Sequence, residues 1–167
     1  MNLIGFIVLI IISIFSCWKY GDWKNWRLYY PTILYLIIGD VVCDNLTYRV
    51  PLWSYNNNIY TDLLMIVFIY PCTVILFLTN YPKLIKRQVG YLLLWVFVYS
   101  SIEYIAYISS GFFYSNGWTI GWSILFNCIM FPLLYFHYKK TLWVWPISMA
   151  LAFIVLYIFK IPLYSIR

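Results

Sequence analysis

The stretch that decides the fold is GYLLLWVFVYSSIEYIAYISS, Gly90 to Ser110. It carries one carboxylate, Glu103, and neither lysine nor arginine. Apolar runs of about 18 residues or more with few charges are long enough to cross the hydrocarbon core of a bilayer as helices. An acid at that depth costs about 2.5–3.5 kcal/mol on insertion scales, so it faces protein rather than lipid and often marks function.

Outward from this run the same pattern recurs. Further apolar runs are predicted as helices over residues 2–18, 32–48, 61–80, 119–138 and 142–159. The first, NLIGFIVLIIISIFSCW, lacks a basic leader and a small-residue cleavage site, so it reads as a retained helix rather than a signal peptide. Between the runs lie short polar and aromatic connectors, none long enough for a water-soluble domain. The expected fold is therefore all-α: one integral membrane domain over residues 1–167, a polytopic transmembrane helical bundle of about six spans.

Composition agrees. Of the 167 residues, 65% are hydrophobic and only 10% charged, against about 25% charged in ordinary soluble domains. Too few charges remain to cover a water-facing surface. Trp and Tyr, 9 and 18 in number, concentrate in real membrane proteins at the water boundaries. The connectors KYGDWKNWRLYYP (Lys19–Pro31) and GFFYSNGW (Gly111–Trp118) read as such boundary segments.

The net charge of +6 is not a nucleic-acid signal, because the basic residues are dispersed among connectors. Lys19, Lys24, Arg27, Lys83, Lys86, Arg87, Lys139 and Lys140 fall on one side of a six-span topology; Arg49, Lys160 and Arg167 fall on the other. The positive-inside rule then makes this a multi-pass protein of the cell membrane with both termini outside. The bilayer is the expected partner, with a second copy or another membrane protein alongside it.

Asp40 and Asp44 stand four residues apart, on one face of their predicted helix. Counted from the inner boundary at 1.5 Å per residue, Asp44 and Glu103 lie roughly 20 Å deep and Asp40 about 13 Å. Asn127 falls near the middle of its span. The four side chains are expected to meet at the bundle centre if their spans are neighbours. Two readings stay open. Like charges that close attract a proton or a cation, which suits a coupled transport site. Alternatively the carboxyls join helices by hydrogen bonds, or Asp44 pairs with Arg49 near the outer surface, since intramembrane polar contacts average only about 0.6 kcal/mol and often serve packing.

The D-x-x-x-D spacing of Asp40 and Asp44 is also found in magnesium–diphosphate sites of membrane enzymes acting on isoprenoids or lipid headgroups. Magnesium favours six oxygen ligands, and the further aspartates, glycine and arginine of those signatures are missing here. His137 is the sole histidine, which leaves no multi-histidine metal site and no Ser–His–acid arrangement. Cys17, Cys43, Cys72 and Cys128 lie within apolar runs without a CxxC, so they read as small buried hydrophobes rather than zinc ligands. No metal, cofactor or catalytic residue is assigned, and the enzyme reading is secondary.

The blocks NWRLYYPTILY (Asn25–Tyr35), IGD (Ile38–Asp40), PLW (Pro51–Trp53), NGW (Asn116–Trp118) and FNCIMFPLLYFHYKK (Phe126–Lys140) resemble an uncharacterised family of small multi-pass membrane proteins from spore-forming Gram-positive bacteria. The resemblance implies Asp40, Glu103, Asn116, Gly117, Trp118, Asn127 and His137 as positions of interest and supplies no mechanism. The leading expectation is a small transport or accessory protein with a buried carboxylate site. A membrane-embedded enzyme on lipid or isoprenoid is the second class, and a structural or signalling subunit the third.

Overall fold

Each apolar run becomes a helix in the computed structural model, which describes residues 3–55 and 59–162. Helix α1 (Leu3–Tyr20) is followed by a 3-10 helix (Trp23–Leu28) and α2 (Tyr30–Leu46). Strand β1 (Trp53–Tyr55) leads to α3 (Ile59–Leu64), which continues through a π-helical turn (Met65–Ile69) into α4 (Tyr70–Thr79). Then come α5 (Ile85–Ile108), β2 (Phe112–Tyr114), α6 (Ile120–Lys139) and α7 (Thr141–Ile158). The fold is all-α apart from the two three-residue strands.

The π-turn has a local cause. Pro71 has no backbone N–H, and its ring crowds the carbonyl four residues earlier. The ladder widens instead of breaking: the Tyr70 N–H reaches back to the Met65 carbonyl. The helix continues past the proline, and Tyr70 is placed at the junction.

The connectors sort into two ends. At one, the Asp22 N–H donates to Thr79 Oγ1 at 3.2 Å and Asn80 Nδ2 donates to the Tyr20 carbonyl at 3.1 Å. There Tyr29 stacks on Tyr138 and Tyr81 on Tyr135, with ring centroids 5.9 and 3.8 Å apart. These pairings gather Lys19, Lys24, Arg27, Lys83, Lys86, Arg87, Lys139 and Lys140 at one basic end. At the other, β1 pairs antiparallel with β2 in the register Trp53↔Tyr114, Ser54↔Phe113, Tyr55↔Phe112. Leu52, Trp118, Leu156 and Ile161 form a small core beneath this ribbon.

The main core lies toward the basic end. Phe77, Phe131, Leu134, Val74 and Val144 are fully buried, and Phe77 meets the rings of Tyr81, Tyr91, Trp95 and Phe131. Edge and tilted ring contacts of this kind add about 0.5–1.5 kcal/mol each beyond area burial. Outside, large apolar side chains such as Leu93, Leu94 and Phe97 on α5 and Trp143, Met149 and Phe153 on α7 are exposed.

Among the described residues, four helical segments are long and apolar enough to cross a membrane: Thr61–Thr79, Ile85–Ile108, Ile120–Lys139 and Thr141–Ile158. Gly5–Tyr20 is a shorter apolar helix. The 17-residue α2 is also shorter than the four and contains both Asp40 and Asp44. Helix α5 begins at Ile85, ahead of the predicted Gly90, so Lys86 and Arg87 lie on its first turn.

Candidate functional site

The carboxylates gather near the ribbon end rather than at mid-bundle. Glu103 lies little more than a turn before the close of α5 at Ile108, and Asp44 half a turn before the close of α2 at Leu46. Asp40 is half-buried and hydrogen-bonded by the hydroxyl of Tyr70, the residue placed by the π-turn. Asp44, one turn further, is exposed but within electrostatic reach of Asp40 and Asp62.

Glu103 is half-buried on the opposite side of the cluster. Its Oε1 accepts the Tyr114 hydroxyl at 2.8 Å, and it also accepts the Ser123 hydroxyl. Ser123 Oγ in turn accepts Trp118 Nε1–H at 2.8 Å. A relay thus runs from buried Trp118 through Ser123 to Glu103, closed from the ribbon side by Tyr114.

Tyr55 of β1 connects the two halves. Withdrawal from water pushes its hydroxyl well above its ordinary value, and the charges of Asp40, Glu103 and Asp62 push it further in the same direction. The hydroxyl therefore stays protonated among acids. Its ring packs edge-on to Phe112, its cross-strand partner, at 5.0 Å. Burial likewise raises Tyr114, with the Glu103 hydrogen bond adding to the effect. Behind them, Thr73 hydrogen-bonds the Tyr99 hydroxyl, joining α4 to α5. Among the described residues, neither lysine, arginine nor histidine contributes to the charge surroundings of Asp40, Asp44, Asp62 or Glu103.

The other sequence candidates divide. Asn127 is buried on α6, and its Nδ2 donates to Ser100 Oγ at 3.4 Å. That pair sits one turn along α5 and α6 from Glu103 and Ser123, a neighbouring polar layer, so Asn127 is not shown bonding to a carboxylate. Arg49 is exposed in the turn after α2. Asn116 and Gly117 build the bend between β2 and α6: both have positive φ, 51° and 85°, and Asn116 Nδ2 donates to the Pro51 carbonyl at 2.7 Å. Trp118 belongs to the relay.

His137 stands apart, at the basic end. It is fully buried, its Nδ1 lies 3.0 Å from Thr32 Oγ1, and its ring stacks on Tyr35 at 4.3 Å with Trp145 edge-on. Among the described residues, no group of three or more His, Cys, Asp or Glu side chains is arranged to hold a metal ion.

Nothing in the sequence singles out Tyr55, Tyr70, Tyr114, Ser123 or Asp62 as part of a site. The cluster so assembled can accept, hold and pass protons between oxygens, or neutralise a small cation. Compared with family models, curated proteins and solved structures, the chain matches none.

Proposed function

We propose that this chain is a multi-pass protein of the cell membrane, with six helices running between two faces and both termini on the outer side, and that it serves transport or assists a transporter through a proton- or cation-linked carboxylate site. One observation carries this reading: Asp40 and Glu103, from distant parts of the sequence, both lie within electrostatic reach of the Tyr55 hydroxyl, and among the described residues no basic side chain contributes to the surroundings of either. Intramembrane acids are expensive unless paired, so an unbalanced set points to a cation or proton as the missing counter-charge. The outward apolar side chains of α5 and α7 support a lipid surround, as does the gathering of basic connectors at one end. A homo-oligomer or partner membrane protein fits, because six short helices leave little room for a wide pathway in one copy. The likeness to small multi-pass proteins of spore-forming Gram-positive bacteria belongs with this proposal.

The test is proton or monovalent-cation flux into proteoliposomes under an imposed membrane potential, read with an internal pH dye or a sodium-sensitive dye. Wild type should conduct a potential-driven flux that Asp40→Asn and Glu103→Gln abolish without loss of helical content. Wild-type proteoliposomes as tight as empty vesicles, or variants that conduct like wild type, would overturn a transport role for the site.

A further inference from the structure

Helices α1 and α4 run side by side in the same direction toward the basic end. Their partners keep a nearly constant offset: Gly21 meets Ile75, the Asp22 N–H meets Thr79 Oγ1, and the Cys17 thiol meets the Cys72 thiol. The approach at Gly21 is close. A Cβ there would fall 3.0 Å from Ile75 Cγ2, 2.7 Å from the Cys17 carbonyl oxygen and 3.2 Å from Cys17 Sγ. The Cys17 sulfur therefore occupies the α4 side of α1, beside the turn that carries Cys72 and Ile75, and it interacts with the Cys72 thiol. Cys17 belongs to the main core cluster, Cys72 packs against it, and both are free thiols.

We propose that Cys17 and Cys72 are a modification site: a reversible disulfide that fastens α1 to α4. Two thiols facing one another on adjacent parallel helices are placed to close a bond of about 2.05 Å by movement of the sulfurs toward each other. The oxidant is a small-molecule disulfide. Cys72, the less buried of the pair, loses its proton, and its thiolate attacks one sulfur of that disulfide, expelling the first small thiolate. Cys17 then loses its proton and attacks the Cys72 sulfur of the mixed disulfide, expelling the second. The two cysteines supply two electrons, the small disulfide is reduced to two thiols, and those thiols take up the two protons. A dithiol runs the exchange backward.

The bridge is placed to matter. Thr73, next to Cys72 in the chain, holds the Tyr99 hydroxyl, and Tyr70, half a turn earlier, holds Asp40. Oxidation would fix the helix carrying both against α1. This inference stands without the transport reading, since it rests only on the α1–α4 contact.

The test uses the full chain in detergent with Cys43→Ser and Cys128→Ser, which leaves the native pair as the only thiols. Dipyridyl disulfide should release two thiopyridones per chain, retain none, and yield a single cross-linked peptide pair joining Cys17 to Cys72 that a dithiol separates. Stable thiopyridyl adducts on either cysteine overturn the proposal. So does absence of reaction when the urea-unfolded control reacts fully. If the double variant folds poorly, the same peptide map on the native four-cysteine chain decides it: Cys17 linked to Cys72 supports the proposal, and any other pairing overturns it.

Discussion

The Tyr114 hydroxyl donates to Glu103 Oε1 across 2.8 Å, joining a strand of the ribbon to the penultimate turn of α5. Hydrogen bonds to a charged partner contribute about 1.5–3 kcal/mol, and the two residues form one unit. Tyr114→Phe and Glu103→Gln should each lower the melting temperature in detergent, and the double variant should lose less than the sum. A double-mutant cycle by thermal unfolding should return a coupling of about 1–2 kcal/mol; additive losses would show that the bond contributes nothing.

Tyr55 and Tyr114 lend the fold an alkaline limit. Both hydroxyls are raised from an ordinary 10.0 when folded, so the folded chain keeps protons that the unfolded chain releases. Their contribution is intact below about pH 10 and is lost as pH rises from there toward the folded values. Denaturant midpoints should accordingly fall above pH 10, and Tyr55→Phe should flatten that fall. An unchanged slope in Tyr55→Phe would count against the burial of its hydroxyl.

Thr32 faces the buried His137 at 3.0 Å, at the end remote from the carboxylates. Thr32→Val keeps the shape and removes the hydroxyl, leaving a buried ring nitrogen short of a partner at about 1–3 kcal/mol. Melting should drop while dye-reported flux through the Asp40–Glu103 site persists. Equal loss of both would place His137 in the same functional unit as the acids.

Two glycines allow a contrasting pair of substitutions. Gly117→Ala meets only the Phe159 ring, at an ordinary contact distance of 3.9 Å, but sits at φ 85°, where a side chain costs about 1 kcal/mol. Gly21→Ala meets Cys17 and Ile75 at 3.2 Å or less, and overpacking of that kind costs about 1–3 kcal/mol. Only Gly21→Ala should slow cross-linking of Cys17 to Cys72, which the thiopyridone release rate would report.

The helices and the two principal acids are legible in the sequence because each is a contrast: apolar runs against polar connectors, and single charges against apolar runs. Asp40 and Glu103 stand out for that reason. Tyr55, Tyr70 and Tyr114 do not, since the chain has 18 tyrosines and interfacial anchoring is the commonest use of that residue. Ser123 carries no charge to betray it, and Asp62 at a helix start has a sufficient local explanation in the helix dipole. The site's place beside the ribbon is hidden for a related reason. Rise per residue locates Asp44 and Glu103 along their own helices, but the site's position follows from a ribbon whose strands are too short to leave a periodic trace.

That ribbon has a mechanical consequence. Two strands of three residues are marginal by themselves, so β1 and β2 persist only while α2, α5 and α6 hold their roots together. Conversely, unzipping Trp53–Tyr55 from Phe112–Tyr114 would draw Tyr55 from the Asp40 side and Tyr114 from Glu103 in the same stroke. Seen from that face of the molecule, the two acids share one door.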